Sequence, residues 1–172
     1  AQDLNAEVEL LPPEEARAIE MRNGATALRQ RVWCVADTFL SAEAVLAVHR
    51  SRSLALCNTV QGAQKLYRDL RDRIQEGGLN IDLLLLHSRF LPEDRGRIEA
   101  ELHRRFGKEA DKSGSVIAVA TQAIEVGVDI TCERLHTELA PASSLIQRAG
   151  RCARFPGEQG EVIVYPVEHY AP

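Results

Sequence analysis

The sequence predicts an α/β domain in which helices flank a mostly parallel central sheet. From Ser41 onward, short strands alternate with amphipathic helices, and these strands are apolar along their whole length. A strand that is apolar throughout turns neither face to water, as happens when helices cover both faces of a parallel sheet. With 172 residues, 45% of them hydrophobic, the chain has enough apolar material for one such core.

The first third of the chain carries the weakest pattern. We predict a strand at 6–11, a helix at 12–22 that opens with prolines and acids, and a strand at 29–38. The chain begins with Ala and a polar, irregular stretch, so we expect a piece of a longer protein. Within it we expect a single domain over 1–172.

We divide that domain into a lead-in over 1–50 and a motif-bearing core over 51–172. In the core, apolar residues recur at helical spacing over 60–75 before the Gly77-Gly78 stop, and Pro92 opens a later helix. The elements predicted from Ser41 onward are a helix at 41–50, a strand at 53–59, a helix at 60–75, a strand at 81–88, a helix at 92–106, a strand at 115–121, a short strand at 134–139, a helix at 142–149 and a strand at 160–166.

Composition excludes several classes of protein. No apolar run is long enough to span a bilayer, and the N-terminal residues lack the features of a secretion signal. We therefore expect a cytoplasmic protein with no membrane partner. The four cysteines form no C-x-x-C pair and have no histidine at ligand spacing, so we expect free thiols and no metal site.

Polar residues follow each predicted strand of the core. Ligands of open parallel sheets collect at the carboxyl ends of the strands, where short donors and arginines suit phosphates. The residues are Asn58 and Thr59 after the first strand, His87, Ser88 and Arg89 after the second, Thr121, Gln122, Glu125, Gly127 and Asp129 after the third, and the segment 147–154 (QRAGRCAR) after the fourth. We expect them to form one phosphate-binding rim.

Four segments resemble, in order and spacing, the motifs of the second RecA-like domain of superfamily 2 helicases. "ALCNTVQGAQKLY" is similar to motif IV, "LLHSRFLPEDR" to the segment after it, "AVATQAIEVGVDI" to motif V and "QRAGRCAR" to motif VI. Within the superfamily, the chain is most similar to the CRISPR-associated helicase-nuclease of type I systems. Its motif V reads E-V-G-V-D-I instead of the expected E-Q/V-S-L-D-I, so another DNA or RNA translocase stays an alternative.

The resemblance implies a set of roles around ATP, which lies between two RecA-like domains in such enzymes. Arg151 and Arg154 match the phosphate-contacting arginines of motif VI, with Arg154 as the arginine finger. Asp129 matches the residue that accepts a hydrogen bond from the ribose, and Gly127 belongs to the same nucleotide-binding motif. Gln147 and Arg148 would link the ATP cleft to the nucleic-acid track. The P-loop and the acids that hold Mg²⁺ would come from an upstream RecA-like domain.

The resemblance also implies a single-stranded nucleic acid partner, DNA in preference to RNA. Thr121 would contact a phosphate. Asn58, Thr59, Ser88 and Arg89 would line the track, and short donors of this kind contact the backbone and not the bases. A CRISPR surveillance complex is a further implied partner.

Other interpretations of these residues stay open. The arginines of 147–154 could be surface charges, Thr59 and Ser88 could cap helices, and Glu125 could pair locally. We interpret His87 as a satisfied buried histidine and the arginines of 92–106 as a solvated face.

The sequence lacks parts of the expected enzyme. Its only Gly-Lys, Gly107-Lys108, is followed by Glu109 and so makes no P-loop, and the histidine-aspartate nuclease motif of the CRISPR-associated family is absent. We therefore expect this chain to supply half of an ATPase site. By itself it should be a monomer without ATPase activity. The rival hypotheses are a stand-alone nucleic-acid-binding module and a nucleotide-binding regulatory domain.

Overall fold

Within the residues that the structure describes, six strands form one all-parallel sheet. The computed structural model describes residues 30–110, 114–124 and 129–167. The strands are β1 (Gln30–Val35), β2 (Arg52–Leu56), β3 (Asp82–Leu86), β4 (Val116–Ala120), β5 (Arg134–Glu138) and β6 (Gln159–Tyr165), in the spatial order β1-β6-β5-β2-β4-β3. Every pairing is parallel, which confirms the predicted α/β, RecA-like arrangement.

In the described part of the chain, four α-helices connect the strands. They are α1 (Ala42–Val48), α2 (Val60–Glu76), α3 (Pro92–Phe106) and α4 (Ala142–Ala149), and a 3-10 turn covers Gln122–Ile124. The helices and strands predicted from Ser41 onward are all present. The strand predicted at 6–11 and the helix predicted at 12–22 lie outside the described residues. In the described ranges, no helix is long and apolar enough to cross a bilayer.

Both faces of the sheet are covered, so β2 and β4 are buried along their whole length. On one face Leu54 packs with Leu102 and Phe106 of α3. On the other face Ala55 packs with Leu66 and Leu70 of α2. Burying a side chain of the size of leucine or phenylalanine contributes about 1.5–3 kcal/mol, so these two layers supply much of the stability that holds the strand ends in place.

Local signals in the sequence set the bounds of α2. The Thr59 hydroxyl accepts a hydrogen bond from the Gly62 amide at 3.0 Å, which satisfies one of the free donors of the first turn. The helix ends at Gly77, and Gly78 follows with a φ of +58°, a conformation that favours glycine.

One face of α3 is less solvated than predicted. The Arg97 side chain is 80% exposed, as expected. Arg105 is only 20% exposed, and its guanidinium pairs with Asp82 of β3 and with Glu101. The prediction of a solvated face is therefore wrong for Arg105, because the strand that follows α2 brings an acid beneath the helix.

Candidate functional site

The loop that follows α4 lies at the amino end of β5, the opposite end of the sheet from Asn58 and Thr121. The Cys132 amide donates to the carbonyl of Arg151 at 2.9 Å, and the Ala153 amide donates to the carbonyl of Cys132 at 3.1 Å. Cys132 precedes β5, so this contact is at the amino end of the strand. The α4 helix starts after the carboxyl end of β5 and, with eight residues, advances about 12 Å, which returns the chain to the amino end.

The expectation of one continuous rim is therefore wrong. The prediction assumed that every residue after a strand lies at the carboxyl end of that strand. This assumption does not hold for residues 147–154, because α4 separates the end of β5 from the loop that follows this helix. Two separate groups result: a polar edge (Asn58, Thr59, Ser88, Arg89 and Thr121) and an arginine loop (residues 151–155) with Asp129 beside it.

Arg154 forms an ion pair with Asp129 in the arginine loop. Its Nε donates to Asp129 Oδ1, and its Nη1 lies 3.4 Å from the carbonyl oxygen of Gly150. The Arg154 side chain is 37% exposed and that of Asp129 is 55% exposed. The acid of motif V and the last arginine of motif VI thus meet at an accessible position.

The backbone before Arg154 adopts a constrained conformation. Ala153 has a φ of +45°, which is unfavourable for a residue with a side chain. Arg31 of β1 reaches this turn from the edge strand, and its Nε donates to the carbonyl of Cys152 at 2.6 Å. Sequence reasoning missed Arg31, because 121 residues separate it from Cys152 and no local pattern marks the contact.

A second set of contacts holds the arginine loop from below. Thr131 Oγ1 accepts a hydrogen bond from the Arg154 amide at 3.1 Å and donates to Glu158 Oε2 at 2.5 Å. The same carboxylate oxygen accepts from the Phe155 amide at 3.0 Å. Thr131 and Glu158 were also missed by sequence reasoning. The only available signal was the position of Thr131 two residues after Asp129.

Arg148 occupies a fully buried position on α4. Its Nη1 donates to Thr137 Oγ1 at 2.9 Å, to Asn58 Oδ1 at 3.1 Å and to the carbonyl of Glu138 at 3.3 Å. With an exposed fraction of 0%, it meets no ligand in this conformation. It is a brace between α4, β5 and the polar edge. Gln147, its neighbour, is exposed on the same helix.

Arg151 is half-buried, and its backbone joins α4 to the strand end. Its amide donates to the carbonyl of Arg148 at 2.8 Å, and its carbonyl accepts from Cys132. The main chain of Arg151 is therefore fixed three residues before Arg154. The interpretation of Arg151 and Arg154 as ordinary charges on a solvated helix end does not fit this loop.

Four strand ends meet at the polar edge. The Thr121 amide donates to the carbonyl of Leu86 at 3.2 Å, which joins the ends of β4 and β3. Asn58 donates from its backbone to Glu138 Oε2 at 2.6 Å and from Nδ2 to the carbonyl of Leu139 at 2.8 Å, which joins β2 to β5. Thr121 is nearly buried, whereas Thr59, Ser88 and Arg89 are exposed.

The two capping alternatives have different outcomes. Thr59 caps α2, as described above. Ser88 does not cap α3, whose N-cap residue is Leu91. Ser88 is therefore exposed at the polar edge without a capping role.

His87 is buried and hydrogen-bonded, as interpreted from the sequence. Its Nε2 lies 3.1 Å from Gln64 Nε2, the Arg89 amide donates to its Nδ1 at 3.3 Å, and its ring stacks on Phe90 at 4.3 Å. Burial lowers the pKa of His87 below its usual value. A neutral ring that accepts from the Arg89 amide fixes the start of the loop at the polar edge.

Two of the named motif V residues, Glu125 and Gly127, lie outside the described residues. Within the described part of the chain, no group of three or more His, Cys, Asp or Glu side chains is arranged to hold a metal ion. The described cysteines are free, including Cys132 and Cys152, which lie side by side at the arginine loop.

An all-parallel RecA-like sheet with residues that resemble helicase motifs at both of its ends is typical of a helicase domain. Residues 49–157 match the family described as "CRISPR-associated nuclease/helicase Cas3, C-terminal". The chain belongs to this family. The match resolves the subfamily question that the departure in motif V left open.

Known relatives agree with the family match. The chain is 31% identical over 157 residues to the CRISPR-associated endonuclease/helicase Cas3 of Escherichia coli (strain K12), which is 88% of this chain and 16% of the relative. A crystal structure of T. fusca Cas3-ATP is similar with a TM-score of 0.71 and 32% identity over 86% of this chain and 19% of that one.

A third similarity is to a chain of a CRISPR RNA-guided surveillance complex, pre-nicking, with a TM-score of 0.62 and 31% identity. It covers 86% of this chain and 20% of that one. The chain thus spans a fifth or less of these relatives.

Proposed function

We propose that this chain is the C-terminal motor domain of an ATP-dependent DNA helicase or translocase that acts in CRISPR interference. The observation that carries the proposal is the Asp129–Arg154 ion pair, which brings two motif residues 25 positions apart to one accessible site. The polar edge lies at the other end of β5, about 15 Å away at 3.3 Å per residue. A nucleotide half-site and a nucleic-acid track can therefore exist side by side without overlapping.

The arginine loop has the properties of half a nucleotide site. The Arg154 guanidinium already binds a carboxylate, an oxyanion with the planar geometry that arginine recognises, and it is accessible. Arg154 would act as the finger and Arg151 would assist it at the phosphates, while Asp129 and Gly127 would hold the ribose. Bound ATP supplies a phosphoanhydride whose cleavage drives movement. An arginine finger is worth roughly 10³–10⁵ in rate.

The other half of the site would come from an upstream RecA-like domain. The 172 residues contain no P-loop, and so the lysine and the acids that hold Mg²⁺ must lie elsewhere in the functional enzyme. Arg151 and Arg154 would act across the domain interface. We expect this chain alone to be a monomer that does not hydrolyse ATP.

The polar edge would contact the backbone of single-stranded nucleic acid, DNA in preference to RNA. Thr121 would donate its hydroxyl to a phosphate, and Asn58, Thr59, Ser88 and Arg89 would line the path. Thr59 keeps its hydroxyl hydrogen for this contact, because the cap uses its oxygen as an acceptor. Hydroxyl, amide and guanidinium donors bind phosphate without reading the sequence of bases.

The α4 helix would couple the two sites. Arg148, in the last turn of the helix, donates to Asn58 at the polar edge, and the same end of the helix continues into Arg151 and Arg154. A movement of the nucleic-acid backbone against Asn58 would reach the finger through one rigid element. Arg148 is then a positioning residue, with Gln147 exposed beside it toward the domain interface.

The relatives suggest the larger assembly. The solved surveillance complex described above supports a similar complex as a partner of the longer protein, and the Cas3 relatives that carry the name nuclease support a nuclease domain outside this chain. Both belong to the proposal.

The test compares this chain with the longer protein that its coding sequence specifies. We expect ATP hydrolysis stimulated by single-stranded DNA in the longer protein, and none in this chain. The longer protein should lose hydrolysis when Arg154 is replaced by Lys and keep DNA binding. Magnesium-dependent turnover that co-purifies with the short chain would overturn the half-site. A longer protein that binds single-stranded DNA but has no P-loop would identify a binding module instead.

A further inference from the structure

Arg52 is a buried charge with two nitrogen atoms that lack hydrogen bonds. It is the first residue of β2, it is 3% exposed, and in the described part of the chain its Nε and Nη1 have no hydrogen-bond partner. Burying an unpaired guanidinium costs several kcal/mol unless a ligand or a partner compensates it. The position therefore indicates a site for a ligand that accepts hydrogen bonds.

A cavity of about 160 Å³ adjoins Arg52. At about 30 Å³ per water molecule, it has room for roughly five waters or for one small polyatomic ion with some water. Its lining is mostly polar and comes from the amino ends of β2, β5 and β6. The lining residues are Arg52, Thr131, Cys132, Glu133, Gly157, Glu158 and Gln159.

Charges of both signs line this cavity. Arg52 supplies donors, whereas Glu133 and Glu158 supply carboxylate acceptors. Because two acidic side chains and one basic side chain line the cavity, a dianion that carries no proton is disfavoured there. The ligand must therefore accept hydrogen bonds from the guanidinium and donate at least one to a carboxylate. Protonated phosphate does both, whereas sulfate carries no proton at neutral pH and cannot donate.

We propose that this cavity binds protonated inorganic phosphate, with Arg52 as the anchoring cation and Glu133 or Glu158 as the acceptor of the phosphate proton. The site is next to the arginine loop, because Thr131 and Glu158 line the cavity and also hold the amides of Arg154 and Phe155. A bound phosphate would thus stabilise the loop. Phosphate released by ATP hydrolysis is one source of the ligand, and only this source depends on the proposed function.

Binding of inorganic phosphate to this chain tests the proposal without any ATP hydrolysis. Phosphate, sulfate and chloride are titrated at equal ionic strength, and binding is followed by calorimetry and by the thermal unfolding temperature. We expect saturable binding of phosphate, weaker binding of sulfate, and tighter phosphate binding at about pH 6 than at about pH 8, where less of it carries the extra proton.

Variants locate the phosphate. Arg52→Met should weaken phosphate binding at least about tenfold, because it removes charge-assisted hydrogen bonds. In chloride it should unfold at the same temperature as the parent or higher, since an unpaired buried charge is gone. Arg97→Met, on the exposed face of α3, should bind phosphate like the parent. Glu133→Gln, at a half-buried position, should reduce the preference for phosphate over sulfate.

Two outcomes would overturn the proposal: equal responses to sulfate and phosphate, and binding that survives Arg52→Met. If binding survives Arg52→Met but is abolished by Arg154→Ala, the phosphate lies at the finger instead of the cavity. If Arg52→Met does not fold, unchanged selectivity in both Glu133→Gln and Glu158→Gln still contradicts the assignment.

Discussion

The finger candidate Arg154 donates from Nε to Oδ1 of Asp129, so the residues proposed to contact the phosphates and the ribose form an ion pair with each other. This contact orients the guanidinium. It also opposes nucleotide binding slightly, because a partly exposed ion pair is worth up to about 1 kcal/mol. The arginine is thus held in place by an interaction that a phosphate can replace.

Arg154→Lys should abolish ATP turnover in the longer protein. Lysine keeps the positive charge but loses the planar fork that binds two phosphate oxygens together, so we expect a loss of roughly 10³-fold or more. Binding of single-stranded DNA without nucleotide should change little, because Arg154 lies at the opposite end of β5 from the polar edge. Steady-state hydrolysis and fluorescence anisotropy measure the two effects.

The control for this variant is Arg97→Ala. Arg97 is 80% exposed and should leave turnover unchanged and stability within about 0.5 kcal/mol. Arg105 is unsuitable as a control, since it pairs with Asp82 and Glu101. Normal DNA-stimulated turnover in Arg154→Lys would mean that another residue serves as the finger.

Thr121→Val should weaken single-strand binding and spare basal turnover. The two side chains have nearly the same shape, so the variant loses the hydroxyl and little packing. A net hydrogen bond contributes about 0.5–1.5 kcal/mol, which corresponds to a loss of affinity of roughly two- to tenfold. Affinity is measured by DNA titration, and basal turnover is measured without DNA. Unchanged affinity in this variant would remove Thr121 from the proposed track.

The sequence predicts local structure well here and long-range contacts poorly. Strands β2 and β4 are recognisable because burial on both faces demands continuous apolar residues, and α2 is recognisable from its spacing and its glycine stop. The contact of Arg31 with Cys152 has no such signal. The return of α4 to the amino end of the sheet depends on its length and packing direction, which no motif encodes, and so the single rim was predicted wrongly.

Arg148→Met should destabilise the fold. Methionine fills most of the space but leaves the buried oxygens of Thr137 and Asn58 without their donor, at a cost of about 1–3 kcal/mol in the free energy of unfolding. Urea unfolding of this chain measures the loss. Gln147→Met, one position earlier and exposed, should stay within about 0.5 kcal/mol. Equal stabilities of the two variants would argue against Arg148 as a brace.

Gly160→Ala should also destabilise the chain, because β6 passes close beneath the arginine loop. A Cβ at Gly160 would collide with Cys152 Sγ and lie 3.2 Å from the carbonyl oxygen of Glu133. Overpacking of this kind costs about 1–3 kcal/mol. Gly96→Ala is the matched control: it lies in α3 with nothing within 4 Å of the new methyl group, and it should stabilise the chain by up to about 1 kcal/mol. Thermal unfolding should therefore shift in opposite directions.

Stability should fall below pH 6.5 because of His136. This histidine is fully buried in β5, with Nδ1 2.9 Å from the Tyr165 hydroxyl. Burial, and to a lesser degree the charges of His49 and Arg134, lower its pKa to about 3. The unfolded chain binds a proton at this residue near pH 6.5, whereas the folded chain does so only near pH 3. The free energy of unfolding therefore falls by up to about 1.4 kcal/mol for each pH unit between pH 6.5 and pH 3. Between pH 7.5 and pH 5 the loss should reach about 2 kcal/mol.

The matched pair His136→Asn and His103→Asn isolates this effect. Asparagine carries no titratable proton at either position, but only the first change removes a buried ring, since His103 is exposed on α3. Urea unfolding at several pH values between 5 and 7.5 gives the slope for each chain. We expect a shallower slope for His136→Asn and the parent slope for His103→Asn. Carboxylates change the free energy of unfolding only at lower pH, near their unfolded pKa of about 4. An unchanged slope in His136→Asn would therefore show that the fold does not hold His136 neutral.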